Sequence, residues 1–214
     1  MKFERFFFLI LSLLIFFSCE QVTTVSQTSS GSSGDSGSTD GGSVVKRSYK
    51  FDFQPADTSS ASYYTADGYT AITVDATATA PRPCTEYTTE RGYGFITSSM
   101  SSSKTLNARD RGATLSSDYA LRDLVTGNFD YTFKVDVING DYTITAWVGD
   151  TSARTTTITI TDGNATLGTL SLSSAANSFD NKSLDVAVTT GTLEFTISDS
   201  ANVRALNAIT IVEK

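Results

Sequence analysis

The chemistry open to this chain is limited first by a missing residue type, because its 214 residues include no histidine. Serine or cysteine nucleophiles activated by histidine are therefore impossible, and so is zinc bound through histidine. Two cysteines are too few for a four-thiolate zinc site. The chemistry that remains belongs to arginine, tyrosine, tryptophan and carboxylates. We expect no cofactor and no enzyme activity, and the sequence leaves a bound metal open.

Arg91 and Tyr93 alternate with glycines in residues 90–95. Glycine allows the backbone to approach another group closely. An arginine and a tyrosine at such a place can hold a carboxylate or a pair of hydroxyls by directional hydrogen bonds. The alternative is an internal ion pair of Arg91 with Glu90 or Asp110 that fixes a loop.

Arg109 and Arg111 are two residues apart, so in an extended chain they lie on the same face. Two neighbouring arginines need anions close by. Those anions are either protein carboxylates, of which Asp118 and Asp123 are near in sequence, or an acidic ligand.

Trp147 is the only tryptophan. Strand parity places it with Thr143 and Thr145, opposite Ile144, on the more polar face of its strand. A tryptophan there can be a flat stacking surface for a sugar ring, or it can be covered by a loop or packed under the other sheet. Three tyrosines in a polar segment are further candidates for the rim of a binding edge: Tyr63, Tyr64 and Tyr69.

Most of the chain after residue 46 alternates between apolar and polar residues with period two, as half-buried strands do. Asn139-Gly140 and Asp162-Gly163-Asn164 predict hairpins, and residues 115–124 have room for one helical turn. We predict an all-β antiparallel jelly-roll sandwich, with an immunoglobulin-like sandwich as the second choice. The predicted core includes Phe133, Val135, Ile144, Val186, Phe195 and Ile211.

The first nineteen residues form a charged start, an apolar run and Ser18-Cys19. The run has the length of a signal-peptide hydrophobic region, and the window resembles a lipobox, where bacterial lipoprotein precursors are cut and lipidated. We predict a signal peptide over 1–18, lipidated Cys19 with a Ser/Gly-rich tether over 19–45, and one domain over 46–214. An ordinary secretory peptide or an N-terminal anchor helix is the alternative.

The composition favours neither a disulfide nor nucleic acid. If Cys19 carries lipid, Cys84 has no partner within the chain. The net charge is −7 with scattered lysine and arginine, whereas nucleic-acid binding needs a basic footprint.

Several blocks carry a family resemblance. In chain order they are residues 49–53, 90–95, 109–112 with 121–123, 133–150 and 204–209. Together they resemble the N-terminal galactose-binding-like β-sandwich of rhamnogalacturonan acetylesterase-type hydrolases of the SGNH class. Malectin-like and family 35-like carbohydrate-binding modules are more distantly similar. Gln54 departs from the glycine usual in the family. Because the sequence stops at Lys214, where the family's hydrolase domain should follow, we expect the resemblance to imply a fold and a sugar-related setting and not esterase activity.

These observations lead us to expect a non-catalytic, lipid-anchored protein of the bacterial cell envelope, periplasmic or surface-exposed. Its expected partner is an oligosaccharide or polysaccharide, with an acidic one favoured by the arginines. The binding residues would be Arg91, Tyr93, Arg109, Arg111 and Trp147. The alternatives are a lipoprotein that docks to another envelope protein and a stand-alone polysaccharide lyase.

The lipobox-like window generates the first testable prediction, which is acylation of Cys19. Mass spectrometry of the N-terminal peptide from the bacterial membrane fraction should show cleavage before Cys19 and an added lipid. Substitution Cys19→Ser should abolish both the added lipid and the cleavage before residue 19. A mature N-terminus elsewhere, with Cys19 unmodified, would contradict this.

Overall fold

A computed structural model of the protein describes residues 46–56, 64–75, 82–83, 85–98, 100–199 and 203–214. Strands are numbered in chain order. The first sheet has the order β11 (Ser178–Val188), β8 (Gly140–Asp150), β14 (Ala208–Glu213), β1 (Ser48–Pro55), β2 (Thr70–Asp75), β3 (Arg82–Pro83). The second has the order β10 (Ala165–Ser174), β9 (Arg154–Asp162), β12 (Thr192–Ser198), β7 (Tyr131–Asp136), β4 (Tyr93–Ile96). A third, small sheet has the order β13 (Arg204–Leu206), β6 (Asp123–Gly127), β5 (Leu106–Asp110).

The two large sheets bury their apolar residues in one shared core, which confirms the predicted all-β sandwich. Phe133 of the second sheet lies at the centre of this core. Its ring is 5.0 Å from that of Phe51 and 5.1 Å from that of Phe53, both in the first sheet, in edge-to-face contacts. All six predicted core residues are buried.

Alternation decides which side chains reach this core. Every second residue of β7 and β12 is buried and those between are half-exposed, as expected for strands with one face on the core. The hairpin predicted at Gly163-Asn164 is also confirmed, since Asp162 pairs with Ala165 across it.

The hairpin predicted at Asn139-Gly140 is wrong. Strand β7 pairs with β12 and β4, whereas β8 pairs with β11 and β14 in the other sheet. The chain therefore crosses between sheets at this point. The Asn139 side chain donates a hydrogen bond to the Thr189 carbonyl at 2.8 Å, which ties the crossing to the end of β11.

Several strands lack the simple alternation that the sequence prediction relied on. Strands β4, β5, β6 and β13 were not predicted, and one pairing, β1 with β2, is parallel. The predicted helical turn is present as α1 (Tyr119–Arg122), with the Asp118 carboxylate accepting from the Ala120 amide at 3.0 Å as its N-cap.

Some expectations fall outside the described residues, namely the signal peptide, Cys19, the tether, Tyr63 and Cys84. Within the described residues, no helix is long and apolar enough to cross a membrane.

The register of β12 generates a stability prediction. Phe195 is fully buried, and truncation Phe195→Ala removes a large side chain and leaves a cavity, so the free energy of unfolding should fall by about 3–5 kcal/mol. The neighbouring Thr196→Ala, on the half-exposed face, is the matched control and should change it by about 0.5 kcal/mol or less. Chemical denaturation of both variants measures the difference; equal effects would show that the strand faces are assigned incorrectly.

Candidate functional site

An open pocket of about 780 Å³ lies between the start of β1 in the first sheet and the end of β7 in the second. Its walls are the start of β1, the loop leading into β2, the turn before β4 and the end of β7. Its volume is within the range typical of ligand sites. The lining combines three tyrosines with two cations and two carboxylates: Tyr49, Tyr69, Tyr93, Lys50, Arg91, Glu90 and Asp136.

Arg91 and Tyr93 both line this pocket, as the sequence pattern suggested. The Arg91 guanidinium donates to the Glu86 carbonyl, and its backbone amide donates to the Thr88 hydroxyl at 3.2 Å. The pairing of Arg91 with Glu90 or Asp110, considered from sequence, is not the contact seen. Arg91 is held by neutral oxygens and stays exposed, so its charge is available to a ligand.

The glycines of this block serve the chain itself. A side chain at Gly94 would place its Cβ 2.4 Å from the backbone of Glu86 and Tyr87, and the φ angle is +141°. Gly92, at φ +72°, ends the Arg91 turn, and its carbonyl accepts from the Asp136 amide at 2.7 Å. The turn carrying Arg91 is thereby fixed to the end of β7.

Tyrosine rings and a lysine form the opposite wall. The Lys50 ammonium is 5.7 Å from the centre of the Tyr69 ring, within cation–π range. Tyr93 packs on Phe51 with ring centroids 5.7 Å apart, so the pocket floor continues into the core. Burial raises the pKa of Tyr93 and that of Tyr69, which keeps both as neutral hydroxyls.

Asp136 supplies a fixed acceptor at the pocket edge. The Tyr87 hydroxyl lies 3.1 Å and 3.0 Å from its two carboxylate oxygens. Lys134 in turn lies 4.9 Å from the centre of the Tyr87 ring. Sequence reasoning did not identify Lys50, Tyr49 or Asp136, because the pocket arises from the pairing of distant segments.

Arg109 and Arg111 do lie on one face, but they pair with Asp150 and not with Asp118 or Asp123. Arg111 Nε donates to Asp150 Oδ1 at 2.7 Å, and Arg109 Nη1 is 3.9 Å from Asp150 Oδ2. Arg154 binds the same buried carboxylate. Burial opposes ionisation of Asp150, but hydrogen bonds from Arg111 and Arg154 outweigh it and lower its pKa to about 2.

This arginine cluster does not contribute to the pocket. Neither Arg109 nor Arg111 is among the described residues that line it. The carboxylates predicted to pair with them have other roles, since Asp118 caps α1 and Asp123 lies in β6 beside Arg122. The internal network considered from sequence is therefore what the geometry shows.

Trp147 is half-buried and lies on the face of β8 that strand parity predicted. It packs against a small cluster of buried alanines, Ala66, Ala120 and Ala208, which come from the β2 loop, α1 and β14. Trp147 does not line the pocket, but Tyr69, which does, packs against the same alanine cluster.

Two buried acids beside α1 were not recognised in the sequence. Asp123 faces Asp110 across the β5–β6 ladder, and Arg122 Nη2 is 3.4 Å from Asp110 Oδ2. Burial, followed by the charge and hydrogen bonding of Asp110, raises the pKa of Asp123 to about 8. Burial, with a smaller contribution from Asp118, raises the pKa of Asp52 to about 7. Strand alternation predicts that Asp52 lies on the face opposite Phe51 and Phe53. It does not predict that the loop before β2 buries Asp52.

These converging carboxyls lie outside the pocket. Neither Asp110 nor Asp123 lines the pocket. In the described part of the chain, no group of three or more cysteine, aspartate or glutamate side chains is arranged to hold a metal ion.

Comparison with known proteins gives the fold. No family model matches the chain, and no curated protein does. Among solved structures, the protein YxiM of Bacillus subtilis aligns with a TM-score of 0.52 at 19% identity, over 78% of this chain and 40% of that one. A β-glucuronidase of Bacteroides uniformis aligns with a TM-score of 0.53 at 12% identity, over 78% of this chain and 18% of that one.

A third neighbour is β-glucuronidase 2 of Bacteroides uniformis, covalently bound to cyclophellitol-6-carboxylate aziridine. It aligns with a TM-score of 0.51 at 13% identity, again over 78% of this chain and 18% of that one. The chain thus spans well under half the length of these neighbours. At these identities the likeness establishes the β-sandwich fold. The finer resemblance to the acetylesterase-type module stays a prediction.

The buried acids generate a prediction on pH. Asp123 and Asp52 ionise near pH 4 when unfolded but hold their protons to about pH 8 and 7 when folded. The folded state therefore binds more protons between these limits, and stability should fall as pH rises from 5 to 8. Each group contributes at most about 1.4 kcal/mol per pH unit.

Substitution Asp123→Asn keeps the shape of the neutral acid and should make the free energy of unfolding less dependent on pH. Exposed Asp67→Asn is the matched control and should keep the wild-type slope. Urea denaturation at pH 5, 6, 7 and 8 measures this. A wild-type slope retained in Asp123→Asn would mean that Asp123 is already ionised in the fold.

Proposed function

We propose that this chain is a lipid-anchored, non-catalytic saccharide-binding protein of the bacterial cell envelope, and that the pocket between the sheets holds a sugar carrying a carboxylate. The observation that carries this proposal is the pocket lining. Tyr69 and Tyr93 offer ring surfaces and hydroxyls, while Lys50 and Arg91 offer two cations.

The arrangement suits a sugar acid for a physical reason. A pyranose has apolar ring faces that pack on aromatic side chains, and hydroxyls that need directional partners. Arg91 can bind a carboxylate with two parallel hydrogen bonds, and Asp136, fixed by Tyr87, can accept from hydroxyls. Because two cations and two carboxylates line one pocket, an acidic and hydroxyl-rich ligand gives both kinds of group a partner.

The fold neighbours are compatible with this setting. Two of those described are β-glucuronidases, and one of them is bound to a ligand with a 6-carboxylate. This chain matches only 18% of each, so the similarity supports the fold, and the binding proposal rests on the pocket itself. Lipid anchoring rests on the N-terminal sequence.

Docking to another envelope protein is the second candidate. Ile138, at the pocket edge, is 51% exposed and offers an apolar contact to a protein partner. The two candidates differ in which substitution weakens binding most. Arg91→Ala should weaken binding of an acidic sugar, whereas Ile138→Ser should weaken binding of a protein partner more than Arg91→Ala does.

The test is calorimetric titration of the full chain with glucuronate and galacturonate against glucose and galactose. The acids should bind more tightly, and Arg91→Ala should reduce their binding by about 2 kcal/mol, the value of a hydrogen bond to a charged group. The affinity of Arg91→Lys for the acids should lie between that of the wild type and that of Arg91→Ala, because lysine keeps the charge but loses the two-pronged geometry.

Lys104→Ala is the matched control, since it removes one exposed positive charge at a residue that does not line the pocket. It should leave affinity unchanged. Equal binding of acidic and neutral sugars, or full affinity for acids in folded Arg91→Ala, would refute the site. Melting temperatures of the same samples separate lost binding from lost folding.

A further inference from the structure

Tyr64 and Tyr119 form an exposed aromatic pair outside the pocket. Their ring centroids are 4.5 Å apart at an interplanar angle of 37°, yet the residues remain 49% and 39% exposed. Tyr64 lies in the loop before β2, and Tyr119 begins α1. Two rings held in contact at the surface present a fixed apolar area with a hydroxyl at each end.

The alanine cluster holds this pair against the first sheet. Ala66 and Ala120 are each within two residues of one of the tyrosines, and both are buried together with Ala208. Small side chains allow the loop and α1 to lie close to the sheet. Two further rings pack against the same cluster. We call this set the aromatic ridge: Tyr64, Tyr119, Trp147 and Tyr69.

The ridge is continuous with the pocket through Tyr69. This residue lines the pocket, where Lys50 approaches its ring, and it also packs on the alanine cluster beneath the ridge. Tyr69 therefore joins the pocket to the alanine cluster, against which Trp147 also packs and whose Ala66 and Ala120 lie within two residues of the tyrosine pair.

Charge distinguishes the ridge from the pocket. Asp118 is exposed at the start of α1, directly before Tyr119, so the ridge carries a carboxylate beside the tyrosine pair, whereas the pocket carries Lys50 and Arg91. Arg122 lies 4.8 Å from the Tyr119 ring centre, but it is buried and paired with Asp110. An acidic sugar would be repelled here, whereas the hydroxyls of a neutral sugar can donate to Asp118.

We propose that the aromatic ridge is a second saccharide subsite that takes a neutral sugar unit next to the acidic unit in the pocket. The ligand is then an oligosaccharide containing both kinds of unit. This inference rests on the proposed function, because the pocket sets the position of the first unit. A protein partner is disfavoured by the sheet face beyond Trp147, where the accessible side chains include Thr145 and Ser183 and are therefore polar.

The experiment uses glucuronate and hyaluronan oligosaccharides of two, four and six sugars, in which glucuronate alternates with neutral N-acetylglucosamine. Affinity of the full chain should rise with length, by roughly three- to tenfold for one aromatic contact. Fluorescence of Trp147, the sole tryptophan, should change only with ligands that reach the ridge.

Variants separate the two subsites. Tyr119→Ala should lose the gain with length while keeping wild-type affinity for glucuronate, and Tyr119→Phe, which keeps the ring, should retain most of the gain. Arg91→Ala should weaken every ligand, including glucuronate. Melting temperatures check that each variant is folded.

The outcomes distinguish failure of the ridge inference from failure of the pocket proposal on which it rests. If glucuronate binds but neither affinity nor Trp147 emission changes with length, the ridge is refuted and the pocket proposal stands. If Tyr119→Ala lowers glucuronate affinity as much as oligosaccharide affinity, the ridge is a support of the pocket and the inference is also refuted. If glucuronate does not bind, the acidic-pocket proposal fails and the ridge inference falls with it.

Discussion

The buried amide of Asn207 is the interaction on which the arrangement of this domain depends. Its Nδ2 donates to the carbonyls of Asp123 at 2.7 Å and Leu121 at 2.9 Å, and its Oδ1 accepts from the Gly149 amide at 2.7 Å. Its backbone bonds to Trp147 and Phe53. One side chain therefore connects the first sheet, the third sheet and α1. A buried amide with partners at every group is stabilising, whereas loss of any partner would leave polar groups unsatisfied.

The position of α1 determines what surrounds it. Asn207 holds the Leu121 carbonyl and so fixes α1 in place. In this position α1 exposes the Tyr119 ring at the surface and buries the Arg122 guanidinium in the interior. Arg122 is only 5% exposed, and it accompanies Asp110 and Asp123. The same end of the sandwich thus contains a neutral buried acid beside Arg122 and an ionised one, Asp150, among three other arginines. Burial acts to raise the pKa of both carboxyls; the neighbouring Asp110 adds to this at Asp123, whereas hydrogen bonds from Arg111 and Arg154 outweigh it at Asp150.

The strands with one face on the core could be predicted from the sequence, because side chains repeat every two residues and the core demands that repeat. This applies to β7, β9, β11 and β12, and to the burial of Phe133 and Phe195. The short strands of the third sheet could not, since β6 is buried on both faces and shows no alternation. Asn139-Gly140 misled for another reason. A turn-forming pair predicts that the chain reverses direction. Whether the next strand joins the same sheet or crosses to the other one depends on the strands with which it pairs.

The candidate site was predictable only where local sequence builds it. Arg91 and Tyr93 share one turn with glycines that the backbone contacts require, so their proximity is visible in the sequence. Their joining with Lys50 depends on two segments about forty residues apart in the chain, and no local pattern records this. Arg109 and Arg111 carried an equally strong signal, yet a carboxylate from the end of β8 neutralises them. An arginine pair in a sequence therefore indicates a need for anions, and only the fold determines whether the protein or a ligand supplies them.

The two walls of the pocket differ in how firmly they are held, and this bears on what the pocket can bind. On one side, the Gly92 carbonyl and the Tyr87 hydroxyl both bond to Asp136, which locks the Arg91 turn onto a central strand of the core. On the other side, Tyr69 rests on alanines and is approached by a single lysine. Charged groups that are positioned in advance bind a ligand without a further ordering cost, whereas a ring on small neighbours can adjust to the ligand. In the proposed function, the fixed wall would select for charge, and the adjustable wall would accommodate the shape of the unit that follows.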